Sequence, residues 1–250
     1  MVKRYFFKYF FYSLLTILYS GLYASQKSIT IFEGNENPTK KVISINSKNT
    51  YPTSLHFLLT TIGRQSIFRM IKSLEKQLKP QDFLTIVFDN KDKESVFEGV
   101  KLKLAQLPCN AEVIWEEKNL GYWGHAIRNK YKRLPGDFIL HCDDDDMYLP
   151  GSLDTIRAVC QDKSKLYFFR LRSAGSSIWR DPHVRIGNMG TPCGVIPRAY
   201  NSLSRWGYFY GGDGAFYMKL VRKIGNHNVI FVDSLIYFVK GAGNGRKYLI

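Results

Sequence analysis

Between His56 and Cys142 short apolar runs alternate with segments of helical period, and this alternation constrains the fold more than any other feature. HFLLTTIG, from His56, is nearly unbroken in its apolar character and ends at Gly63. Such a run suits a parallel strand buried on both faces, where neither face meets water. Ile67, Met70, Ile71, Leu74 and Leu78 then recur at threes and fours, the stripe of an amphipathic helix. FLTIVF (residues 83–88) predicts a second strand, and Val96, Phe97, Val100, Leu104 and Leu107 a second helix. AEVIW from Ala111 predicts a third strand, and a short helix over residues 126–131 leads to a fourth, DFILHC from Asp137. Strands alternating with helices imply right-handed crossovers and an α/β domain with a mostly parallel central sheet and helices on both faces. Ligands of such sheets sit beyond the carboxyl ends of the strands. Those ends carry polar clusters at residues 60–64, at Asp89 and Asn90, at residues 119–121 and at residues 143–146, so one sheet edge is the expected site.

After Pro150 the alternation loosens. LDTIRAV reads as a helix, LYFFRL and CGVIP as strands, residues 215–223 as a helix and VIFVDSLIYFV as a strand. One domain is expected over residues 54–250, with a nucleotide-binding half (54–150) and an acceptor half (151–250). Residues 25–53 are polar and read as a linker with two possible edge strands, SITIFEG and KVISIN.

Residues 1–24 have a basic start at Lys3, Arg4 and Lys8, an apolar run from Tyr9 to Leu22 and a small residue at Ala24, the layout of a signal peptide. The run is short for a span of about 20 apolar residues. Cleavage near Ala24 or retention as a signal anchor are the two expectations. Either places the chain in the secretory pathway, the periplasm or another extracytoplasmic space, with membrane association possible through residues 1–24. The 36 Lys and Arg against 21 Asp and Glu give a net charge of +15, which favours anionic partners. No long basic run or nucleic-acid motif occurs, so nucleic acid is not expected. Cys109, Cys142, Cys160 and Cys193 form no C-x-x-C pair and fit no zinc spacing; a disulfide stays open for an exported chain.

Three motifs carry chemistry. HCDDDDMYLPG (residues 141–151) puts four consecutive carboxylates at the end of a buried strand, where their repulsion calls for a cation or a solvated turn. Mg²⁺ or Mn²⁺ takes such oxygens and keeps positions open for phosphate. NLGYWGHAIRN (residues 119–129) offers Gly121 and Gly124 for tight backbone and Arg128 for a two-pronged grip on phosphate, while His125 alone is ambiguous. YGGDGAF (residues 210–216) sets Asp213 at a helix start, which favours its ionised form. Taken singly, the bland alternatives are a solvated acidic loop, an exposed Arg and a plain N-cap.

Taken in order, the motifs resemble the GT-A glycosyltransferases, in particular the family 2-like inverting group, over roughly residues 58–221. Thr60, Thr61 and Arg64 match the Thr-rich turn after the first strand, and Asp89 matches the Asp that contacts the nucleotide base. Asn119, Gly121, Arg128 and Asn129 match N-x-G…R-N, and Asp143, Asp144 and Asp145 match D-x-D before Pro150. Asp213, after Gly212, matches the late catalytic base. The resemblance implies a single Rossmann-like GT-A domain. Its implied reaction moves a sugar from a nucleotide-diphosphate donor to a hydroxyl of a glycan, lipid or protein, with inversion. It implies Mn²⁺ or Mg²⁺ on Asp145 with Asp143. Thr60, Thr61, Arg64, Asp89, Asn119, Gly121, Arg128, Asp143 and Asp144 are the implied nucleotide-sugar contacts. FVDSLIYFVKGAGNGR lacks the late His that assists metal binding in some relatives, which leaves the metal to aspartates and phosphates. The rival readings are a nucleotidyltransferase, although TTIGRQS has only one Gly, and a secreted binding module without activity.

Overall fold

The computed structural model describes residues 26–46, 52–89, 93–173 and 176–240. The expected leader at residues 1–24, Asn90 and the chain beyond residue 240 lie outside the described residues.

β3 (Leu55–Thr61), β4 (Phe83–Phe88), β5 (Asn110–Trp115) and β6 (Phe138–Asp143) form the parallel centre, in the order β5-β4-β3-β6. Because side chains alternate along a strand, Phe57, Leu59, Ile86, Phe88 and Leu140 point to one face and Leu58, Val87 and Ile139 to the other. The first face is covered by α1 (Ile67–Glu75), through Ile67, Met70, Ile71 and Leu74, and by α2 (Glu94–Leu104), whose Phe97 meets Phe88 edge to face at 5.2 Å. The second face is covered by α3 (His125–Lys130), whose Ile127 packs with Leu58, Val87 and Ile139. The change of face follows from strand order. The chain steps outward from β3 to β5 and then returns past β3 to β6, and a right-handed crossover must then use the opposite face. The connections therefore diverge between β3 and β6, the switch point at which α/β sheets open a binding crevice.

The second half makes the sheet mixed. β7 (Met147–Tyr148), α4 (Ser152–Val159), β8 (Leu166–Ser173), β9 (Ser176–Ile178), β10 (Gly194–Pro197), α5 (Arg198–Asn201), α6 (Gly212–Ile224) and β11 (Val229–Val239) follow in order. β10 runs antiparallel to both β6 and β8, whereas β11 is parallel to β8. α6 lies on the face of α3: its Phe216 stacks on Trp206 at 4.2 Å, and Trp206 meets His141 of β6 at 4.9 Å. The segment read as a linker with two possible edge strands forms β1 (Gln26–Glu33) and β2 (Thr39–Asn46), a hairpin that continues the sheet beyond β11 and leaves β2 at its edge. Ile29 and Ile31 of β1 are buried there. No helix among the described residues is long and apolar enough to cross a membrane.

Candidate functional site

A cleft of about 410 Å³ opens at the carboxyl edge of the parallel strands. Thr60, Thr61, Arg64, Asp89, Asn119 and Gly121 line it from the first half, Asp143, Asp144 and Asp145 form its floor, and Asp213 comes from α6. Every site residue expected from sequence is in this lining except Arg128.

The four carboxylates are managed one by one. Asp143 ends β6 beside Thr60, and its Oδ1 accepts from Arg128 Nη2 at 2.6 Å. Asp144, one residue on, turns to the opposite side, where it accepts from the Thr61 hydroxyl at 2.5 Å and from Arg64 Nη1 at 2.9 Å. Burial pushes the Asp144 carboxyl up to about 6, against the pull of Thr61 and Arg64. Asp145 lies 3.1 Å from the same Arg64 Nη1, and its carbonyl accepts from Arg69. Asp146 leaves the site and accepts from the Lys240 backbone N–H at 3.0 Å.

Arg128 corrects an expectation. Its guanidinium is buried beneath the cleft and is spent on the protein. Nη2 serves Asp143, Thr60 Oγ1 at 3.2 Å and the Cys142 carbonyl at 3.1 Å, and Nη1 serves the Trp123 carbonyl at 2.9 Å. Arg128 therefore braces Asp143 and the 119–124 loop from below and is not among the residues that line the cleft.

That loop is hung on Asp89. Its Oδ1 accepts from Leu120 N–H at 2.5 Å and its Oδ2 from Gly121 N–H at 2.8 Å, while burial raises its carboxyl. The next four residues are all left-handed, with φ of 67° at Gly121, 56° at Tyr122, 53° at Trp123 and 78° at Gly124. Gly124 is demanded twice over, because a Cβ there would also lie 2.4 Å from Thr60 Oγ1. Asn129 is a strut: it exchanges two hydrogen bonds, of 3.0 and 2.9 Å, with the Trp206 backbone.

Asp213 is in the first turn of α6 and its Oδ1 accepts from Gly214 N–H at 2.7 Å. The helix start was expected to favour ionisation, but burial outweighs it and Asp143 adds repulsion, so the carboxyl is raised. Residues not assigned to the site from sequence also line the cleft: His125, Trp123, Phe209 and Tyr210. The only signal for His125, Trp123 and Tyr210 was their position inside the two Gly-bearing motifs, and Phe209, one residue before the second, had none.

Among the described residues no three His, Cys, Asp or Glu side chains form a ready metal cage. Asp143 and Asp145 are nonetheless partly exposed in the cleft, at 33% and 19% of their side chains. One or two carboxylates completed by substrate phosphates and water is how Mg²⁺ is ordinarily held, and these two residues fit that use.

The single mixed sheet with helices on both faces matches the GT-A fold of solved glycosyltransferases. Among solved structures, Staphylococcus aureus TarS (residues 1–349) shares it at a TM-score of 0.60 and 20% identity, over 74% of this chain and 60% of that one. The same protein with UDP-GlcNAc gives 0.58 and 20%, over 74% and 58%. The mannosyltransferase PcManGT from Pyrobaculum calidifontis, solved with GDP-Man and Mn²⁺, gives 0.58 and 13%, over 80% and 62%. At these identities the likeness is one of fold, and the chain spans about 60% of the length of the TarS 1–349 chain. No family model and no curated protein matches the chain.

Proposed function

We propose that the chain is a metal-dependent glycosyltransferase that moves a sugar from a nucleotide-diphosphate donor to a hydroxyl acceptor with inversion. One observation carries the reading: Asp143, Asp144 and Asp145 at the switch point share a single cleft with the half-buried carboxylate Asp213 of α6. Asp89, Asn119 and Gly121 bind the base, and Thr60, Thr61 and Arg64 line the nucleotide's path to the floor. Mn²⁺ or Mg²⁺ on Asp143 and Asp145 supplies positive charge for the diphosphate. Asp213 takes the proton of the attacking hydroxyl, and its raised pKa makes it a stronger base than an ordinary Asp. Residues 1–24 direct the protein out of the cytosol.

The test is incubation with a panel of UDP- and GDP-sugars and Mn²⁺, with and without chelator. Nucleoside diphosphate release that stops in chelator is expected. Release of pyrophosphate from a nucleoside triphosphate and a sugar phosphate identifies a nucleotidyltransferase instead. Full activity in excess chelator removes the metal from the reading.

A further inference from the structure

We infer that the end of the cleft beside Asp213 is a saccharide site, so that the hydroxyl acceptor is itself a sugar; this rests on the transferase reading for the word acceptor. The lining combines two chemistries. Asp89, Asn119 and Gly121 are polar and rich in backbone, whereas Trp123, whose ring lies 6.3 Å from that of His125 beside Gly212, and Phe209 and Tyr210, four and three residues before Asp213 in the chain, bring aromatic rings. These rings are 65%, 47% and 86% exposed, in a chain that buries most of its other large apolar side chains.

The backbone is strained at one of these rings, Trp123, and at its neighbour Tyr122. Tyr122 and Trp123 have φ of 56° and 53°, which costs an L-residue about 1–2 kcal/mol each relative to right-handed backbone. Gly or Asn would sit there more cheaply. Strain that persists around an exposed side chain points to use of that side chain. Tyr122 stacks on Tyr208 at 4.4 Å with 13° between planes, which fixes the Trp123 loop against the segment that carries Phe209 and Tyr210. The loop that carries Trp123 is thus pinned to the segment that carries Phe209 and Tyr210 before anything binds.

The same lining holds a ring nitrogen that no described residue bonds. His125 is 5% exposed, lines the cleft, and has Nδ1 2.6 Å from the Gly207 carbonyl. A carbonyl only accepts, so Nδ1 carries the hydrogen and Nε2 of the neutral ring carries a lone pair. No described residue bonds Nε2. The adjoining Cε1 is packed against Gly212, where an added Cβ would lie 2.9 Å away, one residue before Asp213. Flat apolar walls, an acceptor-only nitrogen and a carboxylate meet the two sides of a pyranose: its C–H face and its hydroxyl donors. A lipid alcohol would use the rings and leave Nε2 unserved.

The experiment follows binding of cellobiose, maltose, lactose and N,N′-diacetylchitobiose by saturation-transfer NMR, with dodecanol and a Ser/Thr peptide alongside. Donor turnover is measured in parallel. At least one disaccharide should bind, with Trp123→Ala and Tyr210→Ala weakening it roughly tenfold, the scale of a lost stacking contact. His125→Asn, which keeps a donor for Gly207 but has nothing at Nε2, should lose more affinity than His125→Gln. In transfer assays the ratio of acceptor KM to donor KM should rise in the same variants. Disaccharide binding without any donor turnover supports the site and overturns the transferase reading. Turnover whose acceptor KM ignores all these variants, or binding of the alcohol or peptide alone, overturns the site and leaves the transferase.

Discussion

Asp213 and Asp145 share one cleft, and substituting each should have a different consequence. A general base contributes about two to four orders of magnitude in rate. Asp213→Asn should lower transfer by that much while Mn²⁺-dependent donor binding, read by calorimetry, stays near wild type. Asp145→Asn should instead weaken that binding. Because burial raises the Asp213 carboxyl, the wild-type rate should fall on acidification at a pH above the ordinary Asp value, and this limb should vanish in Asp213→Asn. A limb that persists in the variant assigns the base elsewhere. Arg128→Lys removes the fork that serves Asp143, Thr60, Cys142 and Trp123 from two nitrogens. A point charge cannot replace it, and a loss of about 2–3 kcal/mol is expected in urea unfolding. These residues also mark what was legible. The carboxylates could be read because four in a row after an apolar run are unusual. The direction in which Arg128 points could not, since an Arg beside glycines reads the same whether it faces a phosphate or a buried Asp.

At the scale of elements, the strands of the parallel centre were legible to within two residues: FLTIVF is β4 as read, β6 shifts by one position, and β3 starts one residue earlier and ends two earlier than its apolar run, whereas the short β7 and β9 were not read. Continuous apolar runs bounded by polar residues have few alternatives. α6 was read three residues late because Gly212-Asp213-Gly214 has poor helix propensity. Packing overrides it, since a Cβ on Gly212 would lie 2.3 Å from the Gly207 carbonyl oxygen. The left-handed loop was foreseen only as tight backbone, and Gly124 tests it. Gly124→Ala adds a left-handed penalty and a clash with Thr60, a buried β-branched side chain with little room to move. A loss of about 2–4 kcal/mol is expected from the two costs together. Donor binding should weaken as well, because the loop shares Asp89 with the nucleotide end. Wild-type stability in Gly124→Ala would show that the loop has another conformation of equal energy.

At the scale of the whole molecule, the β1–β2 hairpin joined the sheet by a route that local pattern cannot show: Ile31 pairs with Val232. The same long-range packing buries His56 and His141, which like His125 of the cleft have a charge state that couples to folding. His56 is enclosed between Thr85 Oγ1 at 2.9 Å and the Pro135 carbonyl at 3.2 Å, and burial lowers it to about 4. His141 is fully enclosed with one bond to Asn201 Oδ1 at 2.9 Å, and burial, aided by the Arg128 charge, lowers it to about 3. An unfolded His gains its proton below pH about 6.5, whereas these rings stay neutral until pH falls through their lowered values. The unfolded chain then binds more protons, so stability is lost on acidification, at about 1.4 kcal/mol per pH unit per ring. Asp89, Asp144 and Asp213 act with the opposite sign: their carboxyls are raised, the folded state protonates first, and acid stabilises it. The net pH profile mixes both terms, so a difference measurement is needed. Urea unfolding of wild type and His56→Gln at a series of pH values cancels the carboxylates common to both chains. The stability advantage of wild type over the variant should shrink by about 1.4 kcal/mol for each unit from pH 6.5 down to about 4, and then level off. His141→Gln should show the same slope continuing to about 3. A flat difference across that window would mean the ring already carries its proton in the folded chain. The His56 bonds would then be two donations, to Thr85 and to Pro135, from an imidazolium.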